Sequence, residues 1–310
     1  MPLAHSVSSA PPDLQHITNL LHDFSLDATR PTEADIKSLR GLLPAGSKIY
    51  LTAVARRPQQ EVIGPARLLR AAGFEPVPHI AAHNFRNGED LNGFLATLRR
   101  EANITTVLVI GGDGEQSAGA FNTALEVIDS GLLQRHGIEE IGIAGYPEGH
   151  PRLSVETLDL ALKAKIEAAE QTGLRVHIVT QFCFASAPVV QWIARTRDLG
   201  IEHPIRIGLA GPTSLTTLLR FARHCGVVNS AQGLTRQAGM FKHLIGTSAP
   251  DAIIRELAEM PLDQLGDVRA HFFTFGGLAA TARWAQAAAC GSIVLDRAEG
   301  FRVEPLDANA

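Results

Sequence analysis

Short runs of apolar, often β-branched residues alternate along the chain with longer stretches in which apolar residues recur at helical spacing. Eight of the short runs read as strands, over residues 22–28, 48–54, 75–81, 105–112, 140–147, 176–182, 205–211 and 271–277. Several are nearly continuous in apolar character, such as VLVI at 107–110, IGIAG at 141–145 and HIVTQF at 177–182. That pattern belongs to parallel strands covered by helices rather than to strands with one wet face. Helix signals fill the gaps. Thr32 stands ahead of Glu33 and Asp35, an N-terminal signature. Residues 67–72 close on Gly73, suited to a left-handed helix end. Ser154 precedes Val155, Leu158, Leu162, Ile166 and Ala169 at helical period, and Gly173 then stops the run.

Eight strands, each followed by a helix, predict an α/β protein built as a (β/α)8 TIM barrel in a single domain. An open doubly wound sheet is the alternative, because strand order is not written in a sequence. The predicted layout is an N-terminal extension at 1–21 with a short helix over 14–21, a barrel over 22–290 and a tail at 291–310. The seventh and eighth strands are separated by a long connection, 212–270, with helical stretches at 215–222, 234–244 and 251–259.

Composition narrows the class. A chain of 310 residues is normal for a barrel of about 250 residues with extensions. With 45% hydrophobic and 19% charged residues there is ample material for one large core. The net charge of −4 is spread without a basic run, which argues against a nucleic-acid partner. No stretch reaches the length of about 18 apolar residues that a membrane span needs, and the N-terminus lacks the pattern of a secretory signal. Cys183, Cys225 and Cys290 lie far apart with no C-x-x-C spacing, which disfavours a disulfide framework and a structural zinc site. A reduced, cytoplasmic enzyme is expected, and self-association into a homo-oligomer is left open.

In such barrels the active site forms at the C-terminal ends of the strands. There the sequence delivers Asp27, Thr52, His79, Asp113, Tyr146, Glu148, His150, Gln181 and Thr213. Each alone has a bland reading as a cap, a turn or a satisfied core polar group. Their coincidence at one end of nearly every strand is better explained by a pocket. Other chemistries fit poorly. The GGDGEQSAG run at 111–119 is neither the dinucleotide fingerprint nor a P-loop. Glu148 and His150 lack a clear third metal ligand, so no metal is expected. Ser186 and Ser248 lack a nucleophile elbow. No strand end carries the lysine of a Schiff-base aldolase.

The fifth strand runs into I-G-I-A-G-Y-P-E-G-H-P at 141–151, which resembles the Y-P-E-x-H-P segment of methylenetetrahydrofolate reductases. Other pieces fall in that family's order: Ser25, Leu26 and Asp27 for its S-x-E, Leu51 and Thr52, Pro78 and His79 for its P-H, and Gly112 and Asp113 for its G-D. The run LKAK at 162–165 resembles its basic helix segment, TQF at 180–182 its T-Q-F, and HFFT at 271–274 its H-F-Y-T. The likeness extends from about residue 24 to 277.

The resemblance implies reduction of 5,10-methylenetetrahydrofolate to 5-methyltetrahydrofolate with NADH or NADPH as co-substrate, through FAD, in one-carbon metabolism. It places Thr52, His79, Gly112, Asp113, Tyr146, His150, Asp159 and Lys165 along the flavin. Gln181, Leu215 and Phe275 fall to the folate, Asp27 to the proton donor and Asp113 to both flavin and folate. Asp27 stands where the family usually has glutamate, Gly111 and Gly277 where it has arginines, and Leu215 where a phenylalanine is common. Weaker FAD binding is therefore expected. The alternatives are direct hydride transfer without flavin and a folate-binding component of a methyltransferase.

Overall fold

The apolar runs become strands and the capped periodic runs become helices in the computed structural model, which describes residues 12–54, 57–112, 119–224, 247–260, 266–296 and 300–304. Eight strands close a barrel: β1 (Ser25–Ala28), β2 (Lys48–Leu51), β3 (Glu75–Ala81), β4 (Thr106–Ile110), β5 (Glu140–Gly145), β6 (Arg175–Cys183), β7 (Ile205–Ala210) and β10 (Val268–Phe273). They follow one another in chain order, all parallel, and β10 closes on β1. The open-sheet alternative is thereby excluded.

Helices form where local signals ask for them. In α2 (Glu33–Leu39) Thr32 and Asp35 make a reciprocal capping box. Ser154 accepts from the Thr157 amide at the start of α7 (Val155–Gln171), and Gly173, at φ 76°, follows its end. The remaining barrel helices are α3 (Ile63–Ala71), α4 (Gly88–Ala102), α5 (Ala124–Asp129), α6 (Leu132–Arg135), α8 (Ser186–Asp198), α9 (Leu215–His224), α10 (Asp251–Ala258) and α11 (Leu278–Ala289).

Some boundaries differ from the sequence expectation. The first strand begins only at Ser25, because Asp23 turns the chain at φ 55°. The last starts three residues earlier than expected, at Val268, and ends at Phe273. Residues 274–277 form a turn in which the Gly277 amide donates to the Thr274 carbonyl at 3.0 Å. The described parts of both outer segments pack on the barrel's helices. The N-terminal helix α1 (Pro12–Leu21) buries Ile17, Leu20 and Leu21 and packs on α10, α11 and β10. Within the expected tail, β11 (Ile293–Leu295) and β12 (Phe301–Val303) pair antiparallel, and Phe301 stacks on Trp284 at 5.6 Å. Within the long connection, β8 (Thr213–Ser214) pairs antiparallel with β9 (Thr247–Ser248). The helix expected at 234–244 lies outside the described residues.

Strand alternation divides the buried side chains in two. Leu26, Ile49, Leu51, Val107, Val109, Ile141, Ile143, Ile207 and Phe272 join the main core beneath the helices. The separate cluster of Tyr50, Val77, Leu108 and Val179 comes from the intervening positions and fills part of the barrel interior. Much of the rest of that interior is polar: Asp27, His79, His177 and His271 are each at most 5% exposed. Space for His177 comes from glycine, since a Cβ at Gly142 would stand 2.8 Å from its Nε2.

Candidate active site

Asp27 is the third residue of β1, and in parallel register it faces Tyr50 of β2 and Phe273 of β10. Its Oδ1 accepts from the Thr52 hydroxyl, which follows directly on β2 and also meets Thr29 Oγ1 at 3.0 Å. Its Oδ2 lies 3.4 Å from His79 Nε2 on β3 and 4.0 Å from His271 Nε2 on β10. The backbone carbonyl of Asp27 accepts from Thr274 Oγ1 at 2.8 Å, fastening β1 to the turn after β10. The aspartate is 4% exposed. Burial drives its carboxyl pKa upward, against the opposing pulls of His79 and the Thr52 hydroxyl. A carboxyl that resists ionisation in a nearly dry site is suited to hold a proton.

The two flanking imidazoles are not equivalent. His271 is fully buried, and its Nδ1 meets Ser25 Oγ at 2.8 Å. Burial, with the positive potentials of His79, His177 and Arg206, brings its pKa down to about 3, so it is neutral at working pH. His79 is held from behind, where Gln59 Nε2 donates to its carbonyl at 2.6 Å. A narrow cleft lined by Arg30, Leu51, Thr52, Val54, Gln59 and Glu61 opens beside Thr52.

Below this group a second polar chain crosses the barrel. His177 Nδ1 lies 2.8 Å from Glu140 Oε1, and its Nε2 lies 2.7 Å from the Tyr50 hydroxyl. The carboxylate calls for a proton on Nδ1, leaving Nε2 to accept, so Tyr50 is the donor. Glu140, also bound by Lys48 Nζ at 3.0 Å, has its pKa lowered to about 2, chiefly by the His177 hydrogen bond. The Tyr50 ring in turn packs edge-on to His271 with centroids 4.7 Å apart.

The other expected residues fall into separate groups. Tyr146, just past β5, meets His150 edge-on at 5.3 Å, and burial lowers the His150 pKa. Glu148 between them is committed to structure: its Oε1 accepts from the amides of Phe184 and Ala185 at 2.7 and 3.1 Å, ahead of α8. Gln181 sits where β6 and β7 slip register between Val179 and Phe182, an irregularity of the kind that re-aims side chains beside active sites. Its Oε1 accepts from the Phe182 amide at 3.0 Å. Phe275 stacks on Phe221 of α9 at 4.0 Å and meets Phe182 edge-on at 5.1 Å. Leu215 opens α9, half-buried, and Thr213 is buried in the β8–β9 pair. Gly112 takes φ 109°, a conformation that L side chains rarely adopt. Asp113 lies outside the described residues.

Lys165 and Asp159 part company. Six residues along α7 is about 240° around the helix, so the two point from different faces. Asp159 is engaged with Arg195 of α8 at 3.2 Å. Lys165 is half-buried and has no carboxylate partner among the described residues, and desolvation lowers its pKa to about 8. Ser25 and His271 enter the sequence reading only as members of the S-x-E-like and HFFT segments, and Tyr50 and His177 have no role in it. The available signal for His177 is a histidine inside an otherwise apolar strand.

No group of three or more His, Cys, Asp or Glu among the described residues is placed to hold a metal ion, and no described helix is long and apolar enough to cross a membrane. What the fold and its polar mouth define is a (β/α)8 barrel with its candidate site at the C-terminal ends of the strands. The family model described as methylenetetrahydrofolate reductase matches residues 35–260, well over half of the chain. The protein belongs to the methylenetetrahydrofolate reductase family. It is similar to methylenetetrahydrofolate reductase 2 of Saccharomyces cerevisiae, 30% identical over 128 residues, which are 38% of this chain and only 20% of the yeast protein. Among solved structures it is similar to dihydropteroate synthase of Thermus thermophilus, at a TM-score of 0.47 and 14% identity, covering 87% of this chain and 93% of that one.

Proposed function

We propose that the protein reduces 5,10-methylenetetrahydrofolate to 5-methyltetrahydrofolate with NADH or NADPH, with FAD as its cofactor, and that it does so in the cytoplasm. The observation that carries the reading is Asp27: a carboxyl whose pKa burial raises, pinned by Thr52 and flanked by two imidazoles, in the strand where the family resemblance puts the acid.

Reduction of the methylene bridge requires one proton and one hydride. The Asp27 carboxyl supplies the proton to N10, so that the five-membered ring opens to an iminium carbon able to accept hydride. Gln181 offers its amide N–H to the pterin, and the Phe275–Phe221 stack gives the folate an apolar wall. The chain's residues suit FAD: Lys165 is a half-buried ammonium without an acid partner among the described residues, the arrangement a phosphate would complete. Thr52, Gly112, Tyr146 and His150 would border the same ligand. FAD supplies the two-electron transfer between nicotinamide and folate when bound. A second reading, direct hydride transfer, is favoured by Gly111 and Gly277, which remove two cations from the cofactor region.

Incubation of the purified protein with methylenetetrahydrofolate and NAD(P)H, with and without added FAD, tests the reading through identification of the product. The expected product is 5-methyltetrahydrofolate, with FAD required. Product formation at full rate in FAD-free protein selects direct transfer, and absence of product in every arm overturns the assignment.

A further inference from the structure

Three features of the Asp27 pocket point beyond a single acid. Asp27 presents its two oxygens differently: Oδ1 is committed to the Thr52 hydroxyl, while Oδ2 is open toward nitrogen on both sides, with His79 Nε2 at 3.4 Å and His271 Nε2 at 4.0 Å. His271 is anchored at its far end by Ser25 at 2.8 Å and lies against Tyr50, so its ring is fixed. The site is almost closed to water, with the three residues 4%, 5% and 0% exposed.

Within such a pocket an isolated carboxylate or an isolated imidazolium is costly, whereas a carboxyl and an imidazole sharing one proton are together neutral wherever the proton sits. We propose that Asp27 and His79 form one proton-holding pair, with the proton passing between Oδ2 and Nε2, and that His271 is the neutral wall confining it there. His79 is thus a positioning residue acting through Asp27. This inference rests on Asp27 being the acid of the proposed reaction, but the pair itself is a property of the protein without substrate. On delivery the proton leaves from Oδ2 to the folate nitrogen. The pair is left with one negative charge, and a proton from solvent restores it. Among the described residues, the charged or titratable groups facing the pair include His271 from β10 and Tyr50 from β2, and Arg206 and His177 act through His271.

The test is reciprocal titration in the full-length protein, with no folate or nicotinamide present. Infrared spectroscopy follows the Asp27 carboxyl, assigned by its loss in Asp27→Asn, and imidazole NMR follows His79. In His79→Gln the Asp27 carboxyl should stay protonated to higher pH, by about one pH unit or more, because a nearby cationic partner has gone. In Asp27→Asn the His79 imidazole should lose its proton at lower pH by a matching amount, as linkage requires. Either variant is enough should the other fail to fold. Titration of each group unchanged by loss of the other overturns the pair. Reciprocal shifts in a protein that makes no 5-methyltetrahydrofolate would keep the pair and remove the proposed reaction, whereas a working reductase without the shifts would do the reverse.

Discussion

Tyr50 donates its hydroxyl to His177 Nε2 across the inside of the barrel at 2.7 Å, and both side chains are at most 3% exposed. The bond joins β2 to β6, strands on opposite sides of a barrel whose interior is more polar than the layers of branched apolar residues common in this fold. Tyr50→Phe keeps the ring against His271 but leaves Nε2 without its donor. A buried acceptor left unpaired costs about 1–3 kcal/mol. The variant should unfold at lower urea with an unchanged slope, and a midpoint equal to that of the parent would show that the bond contributes nothing.

The same interior sets a pH limit on stability. Burial lowers the folded-state pKa of His177 from 6.5, and lowers that of His271 from 6.5 to about 3. The unfolded chain therefore takes up these protons first as pH falls, and stability declines from about 6.5 downward. Glu140, lowered from 4.5 to about 2, works in the same direction over the lower part of that range. All three contributions are complete above pH 7. Denaturant midpoints should fall steadily from pH 6.5 to pH 3, and less steeply in His271→Asn; a flat profile over that interval contradicts the neutral state of these histidines.

Lys165 is predicted to bind the cofactor's phosphate. Lys165→Met keeps the apolar stem and removes the charge, and a charge-assisted hydrogen bond of about 1.5–3 kcal/mol corresponds to roughly 10–100-fold weaker FAD binding. Because desolvation lowers its pKa from 10.5 to about 8, the ammonium is lost as pH rises through 8. FAD affinity of the parent should then fall between pH 7 and 9, and that pH dependence should vanish in Lys165→Met. Fluorescence titration of FAD reads both, and equal affinities would return Lys165 to a structural role.

Gln181→Ala removes the amide N–H proposed to meet the pterin, beside the register slip of β6. One unpaired polar group costs about 1–3 kcal/mol, so kcat/KM for the folate should drop by one to two orders of magnitude. Oxidation of NAD(P)H by an artificial acceptor should be little changed. Equal losses in both assays would mean that the residue only shapes the bulge.

The fold was legible because the pattern repeats: eight apolar runs, each followed by a helical stretch, leave little choice of architecture, and Thr32 and Ser154 mark helix starts by the bonds they make. Boundaries were less legible where tertiary contacts decide them, as at Val268–Ala270, whose pairing with β7 is invisible in a linear reading. The hairpin of β11 and β12 was read as tail because each strand has only three residues and depends on Trp284 for its packing. In the site, the polar strand ends at Asp27, Thr52 and His79 were found and prove to touch one another. The interior contacts of His271 and His177 were not legible because an apolar strand hides which of its faces looks into the barrel.

Asp27→Asn preserves shape and removes the proton, and it probes the account at its centre. Two rates are compared in the FAD-loaded protein: NAD(P)H oxidation with an artificial acceptor, and methylenetetrahydrofolate reduction. Loss of a general acid costs at least about 100-fold. The account predicts a drop of that size in folate reduction with the acceptor rate nearly intact. Folate reduction within a few-fold of the parent rate would contradict it.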